Sequence, residues 1–120
     1  MKALFKGLVW LGVKTEKFDE LSNFYSTIIG LPLIHEEPGF NVFDLPNGDR
    51  IEIFAANDET HNFTTGPVAG FQVENIEEAK KELEEKGIHF IGEIEGNSSK
   101  WAHFRGPDGN IYEITNRLLK

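Results

Sequence analysis

Apolar and polar positions along the first half of the chain predict a strand, a helix and then three strands. Residues Leu4 to Val13 are mostly apolar, as is typical of a strand. The next apolar positions recur every three or four residues, which predicts a helix from Thr15 to Ile29. Thr15 can cap its start, and Gly30 followed by Pro32 ends it. The three strands that follow are Leu31 to His35, Phe40 to Asp44 and Arg50 to Ala55.

The second half of the chain repeats this order of elements. Val68 to Val73 is typical of a strand, and Asn75 with Glu78 forms a capping-box pattern before a helix that Gly87 ends. The strands predicted after it are Ile88 to Ile94, Lys100 to Arg105 and Ile111 to Thr115. We therefore predict one α+β domain of two tandem βαβββ modules, residues 1–56 and 67–117, joined by a polar link at residues 57–66.

The two halves also share a short sequence motif. Leu-Pro-Asn-Gly-Asp-Arg-Ile-Glu-Ile begins at Leu45, and Gly-Pro-Asp-Gly-Asn-Ile-Tyr-Glu-Ile begins 61 positions later at Gly106. Each copy reads as a turn followed by a strand that carries one glutamate, Glu52 or Glu113, between apolar residues. A repeat at a fixed period indicates two like units. We expect each unit to offer its glutamate to a shared place.

Composition and charge exclude several classes of function. The 120 residues include no cysteine and carry a formal net charge of -8, so a disulfide framework, a thiolate metal site and a basic nucleic-acid surface are not expected. The longest apolar run, Leu8 to Val13, is far shorter than the ~20 residues that cross a bilayer. We see no signal peptide and expect a cytoplasmic protein that binds neither nucleic acid nor membrane.

The order of elements and two motifs resemble the vicinal oxygen chelate superfamily. One motif is the helix end Asn23-Phe24-Tyr25 with Ile29-Gly30-Leu31, and the other is the run from Phe104 to Asn110 followed by Tyr112-Glu113-Ile114. The superfamily includes glyoxalase I, extradiol dioxygenases, methylmalonyl-CoA epimerase and the bleomycin and fosfomycin resistance proteins. The resemblance implies a curled, cup-shaped mixed sheet with the helices on its outer face, and assembly as a homodimer.

The resemblance also implies a metal site, of which this sequence keeps half. In the metal-dependent members, four side chains inside the cup bind a divalent ion. Two of them, commonly histidines, lie on the first strands of the modules, and two glutamates lie on the last strands. Glu52 and Glu113 match the glutamates, whereas Leu8 and Val68 occupy the first-strand positions and cannot bind a metal. We therefore expect no metal and no other cofactor.

Strand alternation predicts which side chains line the cup. The apolar residues on one side of each strand should face the helices, and the residues between them should face the cup. If Phe104 pairs with Tyr112, His103 lies directly opposite Glu113, and Val42 takes the corresponding place opposite Glu52. The candidate ligand-binding residues are Trp10, Glu52, Phe54, Gln72, Trp101, His103 and Glu113. The other histidines, His35, His61 and His89, read as surface residues without a predicted partner.

Three hypotheses for function follow. The first is a metal-free protein that binds a small molecule, similar in kind to the bleomycin resistance proteins. Its ligand is expected to be apolar or aromatic with a polar or cationic group, which suits an aromatic cup with a few polar side chains. The second is a lyase, isomerase or dioxygenase that uses a divalent metal held by Glu52, Glu113 and His103, or uses the carboxylates directly. The third is a pairing module with a filled cup and no ligand.

Overall fold

A computed structural model describes residues 4–57 and 66–117. The elements run in the order β1 (Gly7–Thr15), α1 (Phe18–Asn23), β2 (Leu33–Glu37), β3 (Phe40–Asp44), β4 (Arg50–Ala55), β5 (Gly66–Gln72), α2 (Ile76–Glu85), β6 (Phe90–Gly96), β7 (Lys100–Arg105) and β8 (Ile111–Thr115). Two βαβββ modules of class α+β are therefore confirmed. The described residues of the predicted link are Asn57 and Gly66, and residues 58–65 lie outside the described part of the chain.

The chain divides into two compact units. The N-terminal unit contains described residues 10–57 and 66–68, and the C-terminal unit contains residues 4–9 and 69–117. Each unit has a mixed sheet: its last strand is parallel to its first strand and antiparallel to the strand before it. The strand order is β2-β3-β4-β1 in the N-terminal unit and β5-β8-β7-β6 in the C-terminal unit.

The core of the N-terminal unit lies between its sheet and α1. Phe43, Ile51 and Ile53 are buried there, the first and last completely. Three members of the apolar stripe that the spacing predicts, Phe18, Leu21 and Tyr25, cover them, and Leu11 of β1 joins the same cluster. The fourth predicted member, Ile28, is 68% exposed, so that part of the prediction is wrong. Full burial of each large side chain contributes roughly 1.5–3 kcal/mol, so this contact fixes which face of the sheet the helix covers.

The predicted start of the first helix is wrong by three residues. Thr15 still belongs to β1, where it pairs with Ala55, and its hydroxyl accepts a hydrogen bond from the Lys17 N–H at 3.0 Å. The helix begins at Phe18 and Lys17 takes the N-cap position without a side-chain cap. After Asn23 the helix continues as a π-helical segment, Phe24–Ile29, which Gly30 ends with a left-handed φ of 85° as predicted.

The core of the C-terminal unit lies between its sheet and α2. Val73, Ile76, Ala79 and Ile114 are buried in it, together with Ala102 and Phe104 of β7. The predicted cap is confirmed, because the Asn75 side chain accepts a hydrogen bond from the Glu78 N–H at 2.9 Å. In the described part of the chain, neither helix has both the length and the apolar character that a membrane span needs.

The repeated sequence motif forms the same turn in both units. The Leu45 N–H donates to the Asp49 carbonyl at 2.8 Å, and the Gly106 N–H donates to the Asn110 carbonyl at 2.8 Å. The glycine in each turn, Gly48 or Gly109, has a positive φ of 91° or 85°, a conformation that side chains disfavour. The turns set the hairpin registers, and these place the two glutamates at equivalent positions of β4 and β8.

Candidate functional site

Glu52 lies on the sheet face of the N-terminal unit that α1 does not cover. Its neighbours Ile51 and Ile53 pack toward α1, so alternation directs Glu52 to the opposite face. The predicted partner is confirmed, because Val42 is its Cα partner on β3, and Gly12 is its partner on β1. Glu52 is half-buried. A carboxylate therefore lies on this face between Val42 and Gly12 of the two adjacent strands.

Trp10 folds across Gly12 on the same face. A Cβ atom added at Gly12 would lie 2.0 Å from the Trp10 ring, so only glycine leaves room for the indole in this position. Trp10 is buried in this position, with 8% of its surface exposed. Because Gly12 is the Cα partner of Glu52, the ring lies beside the carboxylate on the same sheet face. Trp10, predicted as a lining residue, thus packs over Gly12 next to Glu52.

An aromatic pair extends this face toward β2. The ring of Phe54, a predicted lining residue that is 6% exposed, stacks on Phe40 with 5.0 Å between ring centroids. The ring of His35 lies 5.8 Å from Phe40 and contacts Glu37. His35 is exposed as predicted, but it does have a partner. Alternation from Val42 to Phe40 is the sequence signal that would have added Phe40 to the predicted set.

His103 and Glu113 form a buried pair in the C-terminal unit. The predicted register is confirmed, since the two residues are Cα partners on β7 and β8. The His103 Nε2 lies 2.8 Å from the Glu113 Oε1, and their side chains are 3% and 7% exposed. Burial lowers the pKa of His103 to about 4, while the charge of Glu95 acts in the opposite direction. The imidazole is therefore neutral at pH 7, and a neutral imidazole beside a carboxyl group can accept or pass on a proton.

Gln72 and Trp101 lie on this same face of the C-terminal sheet. Gln72 and Trp101 are each a Cα partner of Thr115, which places all three side chains on the side of Glu113. The Gln72 amide donates a hydrogen bond to the Arg117 carbonyl at 2.6 Å. The Trp101 ring covers Gly96, where an added Cβ would lie 2.6 Å from it. Gln72 therefore holds the chain after β8, a contact that strand periodicity alone does not reveal.

A family model decides the relationship of this chain to known proteins. The model for the Glyoxalase/Bleomycin resistance protein/Dioxygenase superfamily matches residues 7–114. The chain belongs to this superfamily. The predicted resemblance is thereby confirmed, because this match extends from the first residue of β1 almost to the end of β8. No curated protein sequence matches the chain.

Solved structures of other superfamily proteins share the fold. Methylmalonyl-CoA epimerase from Mycobacterium tuberculosis is 21% identical with a TM-score of 0.73, over 96% of this chain and 90% of that one. A glyoxalase/bleomycin resistance protein/dioxygenase superfamily member from Vibrio splendidus is 17% identical with a TM-score of 0.65, over 88% and 94%. A Streptomyces coelicolor methylmalonyl-CoA epimerase variant in complex with 2-nitronate-propionyl-CoA is 15% identical with a TM-score of 0.68, over 92% and 94%. At these identities the likeness concerns the fold.

The side chains of this superfamily member do not fit the four-ligand metal site that the resemblance implies. Leu8 is 59% exposed and Val68 is 3% exposed, and both have hydrocarbon side chains without a donor atom. Within residues 4–57 and 66–117, no group of three or more histidine, aspartate or glutamate side chains is placed to hold a metal ion. Glu52 and Glu113, which the resemblance matches to the two glutamates of that site, lie on β4 and β8.

Proposed function

We propose that this superfamily member binds a small organic molecule with an apolar or aromatic body and a polar or cationic group. The observation that carries the proposal is the placement of Glu52 on a sheet face that also presents Trp10 and Phe54. An indole face and a carboxylate attract the same kind of group, because both favour positive charge. Leu8 and Val68, at the other two ligand positions, favour binding without a metal.

The C-terminal unit contributes the second set of binding groups in this proposal. Trp101 offers apolar surface, and the buried His103–Glu113 pair offers a neutral imidazole and a carboxyl group. We propose that Glu113, the equivalent of Glu52 in the second module, also takes part in binding, as the superfamily resemblance implies. We also propose a homodimer in the cytoplasm. Exposed apolar residues support the homodimer: Phe24, Ile28, Ile29, Leu33 and Ile34.

A thermal-shift screen of aromatic amines and their neutral analogues tests the proposed site. A ligand at 100 times its Kd should raise the free energy of unfolding by about 2.7 kcal/mol. Glu52→Gln should remove most of the shift for the amines, since it deletes the charge and keeps the shape of the side chain. Trp101→Ala should weaken the binding of amines and of neutral analogues alike, because it removes apolar surface.

Glu20→Gln is the matched control for the charge change. Glu20 is an exposed residue of α1, the helix on the other side of the N-terminal sheet from Glu52. The control variant should keep the full thermal shift. Equal shifts in Glu52→Gln and the parent chain would contradict the proposed place of binding, and so would a loss in Glu20→Gln as large as that in Glu52→Gln.

A metal-dependent lyase, isomerase or dioxygenase is the second candidate function. The two retained glutamates and the buried imidazole beside Glu113 favour it, since oxygen and nitrogen donors suit many divalent ions. Methylmalonyl-CoA epimerase, an enzyme by name, is among the proteins of similar fold. Metal analysis of protein purified without chelator separates the two candidates. A stoichiometric divalent ion that Glu113→Gln loses would favour the enzyme and contradict the metal-free proposal.

A further inference from the structure

A separate groove lies on the helix side of the N-terminal unit. It runs between α1 and the β2–β3 hairpin and has a volume of about 570 Å³. Ligand sites commonly measure roughly 300–1,000 Å³, so the groove has room for a small molecule. Asn41 on its wall is the Cα partner of Ile53, a residue that packs toward α1. The groove is therefore on the opposite sheet face from Glu52 and is a different place from the site proposed above.

Small polar residues of α1 and of the π-helical segment after it leave the space that becomes the groove. These residues are Ser22 and Asn23 of α1 and Ser26 of the π-helical segment. This polar stripe lies beside the apolar stripe that packs on the sheet. Opposite it, β2 is exposed along its whole length and pairs with β3. The helix thus packs on β3 and β4, and its short side chains leave a gap between it and β2.

The groove contains a buried acceptor that has no donor. Asn41 is only 6% exposed although its side chain is polar. Its amide Nδ2 donates to the Ser22 Oγ at 3.0 Å, which ties β3 to α1. The Asn41 Oδ1 has no hydrogen-bond partner among the described residues. A buried polar atom without a partner costs roughly 1–3 kcal/mol, so a ligand N–H that reaches this oxygen would recover that free energy.

The charge of the groove selects the same kind of ligand as its acceptor. Asp19, Glu36 and Glu37 line it, and none of the lining residues is basic. Glu37 contacts His35, whereas Asp19 and Glu36 form no ion pair with another described residue. Phe18, Leu33 and Phe43 supply the apolar part of the lining. Three carboxylates and an amide oxygen over an apolar surface suit a cation that also has a hydrocarbon part.

We propose that the groove between α1 and the β2–β3 hairpin binds a small organic cation, a protonated amine on an apolar body. The ammonium group donates to the Asn41 Oδ1 and lies near the carboxylates of Asp19 and Glu36. The hydrocarbon body lies along Phe18 and Leu33. An anion is repelled by the carboxylates, and a neutral isostere of the amine gains the apolar contact without the charge interaction.

Titration with n-hexylammonium, followed in amide NMR spectra of the full chain, tests this site. We expect saturable shifts centred on Ser22, Gly39 and Asn41. Asp19→Asn and Glu36→Gln should each weaken the Kd by about two- to fivefold, as expected for one charge near the surface. Asn41→Leu should weaken it by roughly threefold to tenfold, since it removes the acceptor. Because Asp19 and Glu36 are exposed, their variants keep the test open even if Asn41→Leu fails to fold.

Three controls separate this site from other causes of binding. Glu82→Gln, an exposed acidic residue of α2, should leave the Kd unchanged, and 1-hexanol should bind more weakly than the amine. The Kd read from the amides of Ser22, Gly39 and Asn41 should also stay unchanged in Glu52→Gln, because Glu52 lies on the other sheet face, so a failure of the function proposed above does not affect this result. Equal binding of 1-hexanol, an unchanged Kd in the Asp19→Asn and Glu36→Gln variants, or loss of the shifts in Glu52→Gln in place of Glu36→Gln would each overturn the proposal.

Discussion

The chain is expected to lose about 3 kcal/mol of stability through His103 alone as the pH falls from 6.5 to about 4. The ordinary pKa of histidine is 6.5, and burial lowers the pKa of His103 in the folded chain to about 4. Between these values the unfolded chain binds a proton at His103 that the folded chain does not bind. Protonation therefore stabilises the unfolded state relative to the folded state in this range. The contribution of His103 to the free energy of unfolding is complete above about pH 6.5, declines as the pH falls toward 4 and changes little below pH 4.

Urea denaturation at several pH values measures this effect. The parent chain should show the decline, and His103→Gln should show a smaller one, since glutamine does not titrate. The variant is expected to be less stable at pH 7. The informative quantity is therefore the slope of the free energy of unfolding against pH, compared between the parent chain and the variant. His89→Gln is the matched control because His89 is exposed, and it should keep the parent slope. Identical slopes in the parent chain and His103→Gln would show that His103 is not buried in its neutral form.

Gly12→Ala should destabilise the chain by roughly 2–3 kcal/mol, a cost typical of overpacking. The added methyl group would lie 2.0 Å from the Trp10 ring, and the ring is a rigid group that must move as a whole. Because Trp10 is 8% exposed, its displacement also returns apolar surface to water. The backbone of Gly12 does not have a positive φ, so alanine is disfavoured by the contact and not by its conformation.

A double-mutant cycle isolates the contact between these two residues. In a Trp10→Leu background the methyl group has room, so Gly12→Ala should cost much less than in the parent chain. Gly7→Ala is the matched control, since an added Cβ there meets its nearest neighbour at 4.0 Å. Equal costs of Gly12→Ala in both backgrounds would contradict the folded-over position of Trp10. The displacement of the Trp10 ring in Gly12→Ala should also weaken the binding of ligands next to Glu52, which is the Cα partner of Gly12.

The sequence predicted the hairpins that carry the candidate site residues. Both Pro-Asn-Gly-Asp and Pro-Asp-Gly-Asn have a glycine where the turn needs a positive φ, and a fixed turn sets the register of its strands. The pairs Glu52 with Val42 and Glu113 with His103 therefore followed from the register that the turns set, together with alternation. The edge strands were placed less well, because β-bulges between Leu33 and His35 and between Ile91 and Glu95 shift the register.

Other features depend on side-chain positions that periodicity does not describe. The indole of Trp10 crosses Gly12 because of its rotamer, and the pattern of apolar residues only assigns both to one face. Asn41 interrupts an apolar strand on the side of α1, where the pattern predicts an apolar residue. Its partner Ser22 is 19 positions away, so the groove that they share is visible only after the unit has folded. The apolar spacing likewise does not reveal the π-helical segment, where Ile28 has the spacing of the buried stripe but is 68% exposed.

Calorimetry on chelator-treated protein tests whether binding at Glu52 is independent of a metal. The measurement is the Kd of the best amine from the thermal-shift screen, in the parent chain and in Glu52→Gln. We expect a Kd in the parent chain that chelator treatment does not change, and binding that is weaker by about tenfold or more in Glu52→Gln, as for loss of a charge-assisted hydrogen bond. Binding that disappears with the chelator and returns with a divalent metal ion would contradict it, as would an unchanged Kd in Glu52→Gln.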